Sequence, residues 1–354
     1  MAIFTKKPEP AKVVKAAAGS NAGASQIGNF FAYAEGVQRS RFMQVPTISR
    51  SRDLMASLIG CLPIVMYKTM WNGDEMEKVP EAPRSWLRRI DKGVTNNFIL
   101  SWTFDDLFFY GRAFWYITSR TADGFPASYS RLPASMVQTL DQAGPVWFAP
   151  SKQIIFSGGE LNPDDVVQFL SPIQGITSMS QQSVATALKL EAARFRNASS
   201  AIPAGILKQT GGEPLNAQEL ADLASAFNAA RMTNQTAALN EYLSYTETST
   251  SPDKMLLIDS AEFQGKEMAR ICNVPLYLVG FDQGSYAYTS NEGARADLWT
   301  FGARSYADCI TSTLSQNNVL PNGTMVEFDT MNYLMGDYHE MPQVDNNERV
   351  ESPT

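Results

Sequence analysis

The longest apolar stretch of the chain, Leu54 to Tyr67, is 14 residues long and carries Pro63 within it. A bilayer requires about 20 mostly apolar residues in one helix, so this stretch is too short to cross one. Proline has no backbone N–H and disfavours helix in the residue before it. The stretch therefore reads as a helix that runs into a strand. Residues 29–60 are expected to be helical, with Ile48, Leu54, Met55, Leu58 and Ile59 near helical spacing. Cys61 to Lys68 is expected as a strand, followed by a turn at Trp71-Asn72-Gly73-Asp74. A helix that passes straight into a strand of the same apolar run demands a mixed, α+β architecture.

The next segments extend that pattern. Residues 96–108 suggest a second helix, and the aromatic run 109–118 a strand. Asp123-Gly124 is a hairpin signal. Short strands are expected at Met136 to Leu140, Gln153 to Phe156 and Asp165 to Leu170. Residues 178–198 change to a helical period, with Val184, Leu188, Ala192 and Phe195 aligned. A short strand, Gly205 to Lys208, follows a Pro203/Gly205 break. Asn216 and Glu219 form a capping box ahead of a stripe of Leu220, Leu223, Ala224 and Phe227. Lys254 to Ile258 is expected as a strand, and 259–273 as a helix that stops before Pro275. Residues 281–290 form a polar, aromatic loop. Thr289 with Glu292 would cap a long helix to about Ser315, with Ala294, Leu298, Phe301 and Ile310 on one side. Thr324 to Phe328 is the last expected strand, and no internal repeat is visible.

Composition narrows the function. Of 354 residues, 44% are hydrophobic and only 18% charged, against roughly 25% in ordinary soluble domains. That balance suggests surface buried against other subunits. The net charge is −7, whereas tight nucleic-acid binders neutralise phosphates with an excess of cations. The charge is uneven. Residues 1–50 sum to +5 and residues 321–354 to −6. Residues 1–28 are expected to be a disordered basic arm and Met341 to Thr354 a disordered acidic tail, serving solubility or contacts in an assembly. Met1 to Ser25 has no long apolar core, so no secretory signal is expected.

Enzyme chemistry finds little to work with. The single histidine, His339, lies in the acidic tail, so a Ser-His-Asp or Cys-His mechanism would have to use it. Cys61, Cys272 and Cys309 are widely spaced, which excludes a Cys-x-x-Cys motif and fits small core residues in a reducing compartment. No phosphate-binding, dinucleotide, nucleophile-elbow or zinc-protease motif occurs. Asp105-Asp106 are neighbours on a helix and do not face each other. Asp164-Asp165 follow Pro163 and read as a turn. The aromatic run Phe108 to Tyr116 has only Arg112 nearby, so it reads as core rather than a base-stacking platform. No catalytic, cofactor or metal residues are expected.

Five blocks, in order, carry a resemblance. They are the helix–Leu62-Pro63–strand unit of Arg50 to Lys68, the strand around Leu107 to Trp115 with Gly111, the segment Phe125 to Val137, and Ser171-Pro172 leading into the helix near 181. The fifth is Glu267 to Pro275, ending in Val274-Pro275, with a loop that closes on Tyr288-Thr289-Ser290-Asn291-Glu292. Together they resemble the portal proteins of tailed bacteriophages, the siphophage-type family, over residues 45–338. Val326-Glu327-Phe328-Asp329 resembles the strand after the long helix. Arg112 stands where the family often has Asn, and Gln168 where it often has His. Only about 16 residues follow Tyr338, so the helical crown common in the family is short, disordered or missing.

The resemblance implies a portal fold and a ring, usually of twelve subunits, at one capsid vertex of a virion assembled in the host cytoplasm. Residues 29–180 would form the wing, 181–199 a stem helix, 200–258 a small α/β clip, and 259–279 a second stem helix. Residues 280–291 would form the tunnel loop, and 292–338 the long wing helix and strand. The remaining 339–354 would be acidic tail or residual crown. Double-stranded DNA would pass Gln283, Gly284, Ser285, Tyr286, Tyr288 and Thr289, which bring no cation to the channel. The clip would offer Gln218, Glu219, Asp222 and Arg231 to the terminase large subunit and later to a head-tail adaptor. Major capsid and scaffolding proteins are further implied partners, with no cofactor and no membrane. Another virion structural role, or a soluble enzyme with an unrecognised site, is the alternative.

Overall fold

The computed structural model describes residues 35–142, 147–199, 205–212, 215–232, 242–247, 257–281 and 291–335. The chain divides into two compact units. Met1–Ser180 and Ala269–Thr354 make the first, and Gln181–Met268 the second.

The expected helix over 29–60 is two pieces. Residues 35–42 are helical, and helix α1 (Pro46–Cys61) starts anew after a break at 43–45. Pro46 forces the break by holding Val45 extended. α1 stops at Leu62, which is extended ahead of Pro63. Strand β1 (Ile64–Trp71) then begins three residues later than expected, because Cys61 completes the helix. Asn72 accepts from the N–H groups of Asp74 and Glu75 and turns the chain into β2 (Met76–Pro80).

Helix α2 (Asn96–Tyr110) is capped by Thr95, whose side chain accepts from the Phe98 N–H. It runs two residues further into the aromatic segment than expected. Gly111, at φ 72°, ends it in the left-handed conformation open to glycine. Strands β3 (Arg112–Arg120) and β4 (Pro126–Leu132) form the expected hairpin. Short strands β5 (Val137–Thr139), β6 (Ile154–Phe156), β7 (Gly159–Leu161) and β8 (Val166–Leu170) follow. The strand orders are β4-β3-β8 and β5-β6-β7, all antiparallel.

In the second unit, helix α3 (Gln181–Ser199) is followed by β9 (Gly205–Gln209), α4 (Ala217–Met232), β10 (Leu243–Glu247) and α5 (Leu257–Ile271). The last three residues of α5 belong to the first unit. β9 and β10 pair antiparallel in a sheet of two. In the expected stripe of α4, Leu223 and Phe227 are half-buried, while Leu220 and Ala224 are exposed. Strand β10 has no counterpart in the sequence reading. The expected strand at Lys254 to Ile258 is corrected where it is described: Leu257 and Ile258 begin α5. Lys254 to Leu256 lie outside the described residues.

α5 ends as the Val274-Pro275 motif requires. Asn273 is left-handed at φ 55°. Its N–H donates to Arg270 O, and the Val274 N–H to Ala269 O, both at 3.1 Å. This is the Schellman pattern, with proline beyond it to prevent further helix. The long helix beyond 290 is not continuous α. It comprises α6 (Asn291–Asp297), a π segment (Leu298–Ala303) and α7 (Arg304–Leu314). The buried positions step from Leu298 to Gly302 and Ala303, spacings of four and five, before Tyr306, Ala307 and Ile310 resume the α period. Phe301, expected on the inner side, is therefore turned outward and is 65% exposed. Strand β11 (Thr324–Phe328) completes a third sheet, in the order β11-β1-β2.

The core of the first unit is aromatic. Trp86, Phe104, Phe108, Phe109, Phe114, Trp115, Tyr129, Phe169 and Tyr306 are fully buried. Ring centroids lie 5.1 Å apart for Phe104–Tyr306 and 4.9 Å apart for Trp115–Phe169. The run after Leu107 is core, as its composition suggests. Cys272 and Cys309 are buried, but Cys61 is exposed, which corrects its assignment to the core. Among the described residues no helix is long and apolar enough to cross a membrane.

Candidate assembly and channel surfaces

Helix α4 carries the four clip positions. The Asn216 side chain accepts from the Glu219 N–H, and the Glu219 carboxylate accepts from the Asn216 N–H, both at 2.9 Å. This reciprocal pair satisfies two donors at a helix start and sets a negative charge near its positive end. Glu219 is thus engaged in holding α4 together. Gln218 donates to Asp222 across one turn at 3.3 Å. Gln218, Glu219 and Asp222 are exposed. Arg231 lies in the last turn of α4, and its side chain is outside what is described. Phe227, on another side of the helix, lies 5.3 Å from Tyr245 of β10.

The channel positions Gln283, Gly284, Ser285, Tyr286, Tyr288 and Thr289 lie outside the described residues, as does the Thr289 half of its expected capping box. Their two flanks are described. After Pro275 a tight turn, Leu276–Val279, closes on Gly280 at φ 92°. The Phe281 N–H donates to Leu276 O at 3.1 Å. On the other flank α6 starts at Asn291. The Tyr277 hydroxyl donates to Asp297 Oδ2 at 2.9 Å and ties the flanks together. Burial and the Asp297 carboxylate push Tyr277 up to about 12, so it is a neutral donor near pH 7.

Asp105 and Asp106 are both buried in α2, and they diverge. Asp105 takes two bonds from Arg39, each 2.8 Å, and one from Arg52 at 2.6 Å. Asp106 accepts from Arg131 at 2.8 Å and from the Ala134 N–H at 3.4 Å. Burial pushes Asp106 up to about 7 against the pull of Arg131. The guanidinium carbons of Arg39, Arg52 and Arg131 lie 5.1, 5.1 and 5.3 Å from the Trp102 ring centre. These arginines come from three separate elements, so the cluster fastens α2 to its surroundings. Both carboxylates are occupied by arginines, which suits them to structure rather than proton transfer. Nothing local in the sequence signals this cluster, because the partners lie 25 to 66 residues apart.

The two departures at Arg112 and Gln168 are packing solutions. Arg112 pairs with Glu35 at 3.1 Å and lies 4.7 Å from the Trp147 ring centre. Gln168 bonds both the N–H and the carbonyl of Ser151, each at 2.8 Å. Asp164 and Asp165 sit in a turn, where the Asn162 side chain accepts from the Asp164 N–H and Arg120 pairs with Asp165. Among the described residues no three His, Cys, Asp or Glu side chains are grouped to hold a metal.

The second unit exposes large apolar side chains that sequence reading assigned to a packed stripe or left unremarked. Phe195 of α3 is 71% exposed and Phe263 of α5 58%. Ile206 of β9 and Ile258 of α5 are exposed as well. Single exposed apolar side chains are ordinary, whereas a contiguous patch of them marks a contact surface.

Comparison with known proteins agrees with this architecture. The family model described as phage portal protein matches residues 46–345. Among solved structures, an HK97-family phage portal protein from Corynebacterium diphtheriae is 19% identical, with a TM-score of 0.66 over 83% of this chain and 96% of that one. A chain in the virion of a native gene transfer agent particle is 14% identical, with a TM-score of 0.58 over 87% and 90%. A chain in the neck of that native particle, computed with C12 symmetry, is 16% identical, with a TM-score of 0.55 over 84% and 83%. None of the curated proteins matches.

Proposed function

The chain belongs to the phage portal protein family, and we propose that twelve copies form a ring at one capsid vertex and conduct double-stranded DNA during packaging and ejection. The structurally similar chain from a neck with C12 symmetry supports the copy number. In this reading residues 29–180 are the wing, and 292–338 add its long helix and strand. Residues 181–199 and 259–279 form the stem, and 200–258 the clip. Exposed α4 meets the terminase large subunit and then a head-tail adaptor through Gln218, Asp222 and Arg231, while the wing faces capsid and scaffolding proteins. Assembly takes place in the host cytoplasm and ends in the virion.

The exposed phenylalanines of α3 and α5 carry the proposal. Removing apolar surface from water contributes roughly 25 cal/mol per Å², and a ring offers each subunit two neighbours through different faces. The channel follows from charge. Residues 281–291 contain no Lys or Arg, so they cannot add the steep salt dependence of phosphate neutralisation. They would touch passing DNA without gripping it. DNA packaging into empty heads tests both surfaces at once. Ser285→Lys should slow passage or trap DNA, and Asp222→Lys should impair packaging while rings still form. Normal packaging of full-length DNA by both variants would remove these surfaces from the channel and the clip.

A further inference from the structure

A groove of about 470 Å³ opens in the first unit between the second half of α1, the α6 and π segments, and the short helix Met331–Met335. Leu54, Leu58, Leu62 and Leu298 make it apolar, and Arg295 and Tyr333 add polar groups. Among the described residues Arg295 forms no ion pair, and it donates to the Tyr333 carbonyl at 3.4 Å. The groove's own acid, Asp329, is engaged at the start of the short helix, where it accepts from the Met331 N–H at 3.1 Å. An apolar trough with a guanidinium that lacks a carboxylate fits an occupant that is apolar and acidic.

We propose that the tip of the β1–β2 hairpin of a neighbouring copy of this chain fills the groove, with Trp71 and Met76 against the leucines and the turn acids Asp74 and Glu75 beside Arg295. The contact rests on the ring reading above and adds one named surface to it. Trp71 and Met76 stand directly opposite each other on the two strands, so their side chains share one face. They are 64% and 60% exposed. Asp74, Glu75 and Glu77 are exposed too, and none forms an ion pair among the described residues. The turn is held in shape beforehand, because the Asn72 side chain accepts from the Asp74 and Glu75 N–H groups, each at 3.0 Å. Binding then orders little that is not already ordered. The tip is thus the apolar, acidic knob that matches the groove.

The hairpin cannot reach the groove of its own subunit. Pro63 lines that groove, and β1 leaves it as a single strand paired with β11 and then with β2. Its eight residues carry the tip about 26 Å from Pro63. A knob and a hole at separate places on one chain make a head-to-tail contact, the kind that closes into rings. Two side chains and an ion pair are small beside the roughly 1,600 Å² of a stable interface. This contact therefore sets the spacing of neighbours, while the second unit supplies the larger surface.

Cys61 lines the groove and is exposed, whereas Cys272 and Cys309 are buried. Met76→Cys therefore gives the tip a thiol whose one accessible partner is in a groove. Mild oxidation of assembled Met76→Cys rings should link subunits into a ladder on denaturing gels, and the wild-type chain should give none. Rings that form without linked subunits, or a disulfide closed within one subunit, would overturn the contact and leave the ring standing. A wild-type chain that never forms rings would overturn both. Cys61 should also label freely in dissociated subunits; protection there would mean that the chain covers its own groove, which overturns the contact. Arg295→Glu should raise the concentration at which rings form about tenfold, and adding Asp74→Arg and Glu75→Arg should bring it back. A threshold that does not move in the single variant, or does not return in the triple one, would overturn the pairing of tip and groove.

Discussion

Phe108 of α2 and Phe227 of α4 are each the aromatic anchor of a helix that packs on antiparallel strands, yet their surroundings differ. Phe108 is fully buried among Phe104, Phe109 and Tyr306, and the arginine cluster on Asp105 and Asp106 fastens the same helix from another side. Phe227 is half-buried against Tyr245, on a sheet of two strands. Among the described residues, the buried hydrophobic side chains of the second unit are Val184 and Met268, and so small a core contributes little stability. Both units expose large apolar side chains, Phe148 and Phe301 in the first and Phe195 and Phe263 in the second, but among the described residues the extensive aromatic core belongs to the first. The contrast separates a unit with a dense core of its own from one with little, and the ring contacts proposed for Phe195 and Phe263 fall on the second.

The sharpest way to break that contrast is to damage the first unit. Asp105→Asn leaves Arg39 and Arg52 without their shared carboxylate, and removal of one side of a buried pair costs about 3–5 kcal/mol. Thermal unfolding of the first unit should shift by that amount. A shift below about 1 kcal/mol would mean that the arginines find water instead. Phe108→Ala should cost about 4 kcal/mol through the cavity it leaves. The matching change Phe227→Ala should cost only about 1–2 kcal/mol, because that ring is only partly buried. Equal losses would erase the distinction between the units. The smallest effect is expected from Asn216→Ala, which removes one side of the capping box and should destabilise α4 by about 1 kcal/mol. Faster amide exchange confined to its first turn is the corresponding readout.

Much of this was legible from local pattern. The helix-to-strand passage around Pro63, the hairpin at Asp123-Gly124, the capping box at Asn216 and Glu219, and the stop before Pro275 all rest on neighbouring residues whose conformations constrain one another. The errors arose where distant packing decided. The π segment displaced Phe301 because the buried face is set by what Leu298 and Ala303 meet; Gly302, for one, lets Met55 approach closely. Strand β10 is polar and exposed along part of its length, so its alternation is weak and its pairing with β9 defines it. The salt-bridge cluster is invisible to any local rule. Of the candidate site, the α4 residues were found on an exposed helix, but the structural duty of Glu219 emerges only from its bond to Asn216. A charge reversal at Glu219 would therefore mix loss of helix stability with loss of a partner, and Asp222 is the cleaner position to alter.

Native mass measurement of the purified protein beside the Phe195→Lys/Phe263→Lys variant tests most directly whether the second unit is completed by neighbours. The wild-type chain should form one closed species of about a dozen subunits. The double variant should stay a monomer, with the thermal unfolding of its first unit unchanged. A monomeric wild-type chain at high concentration, or a variant that closes into the same ring, would contradict it.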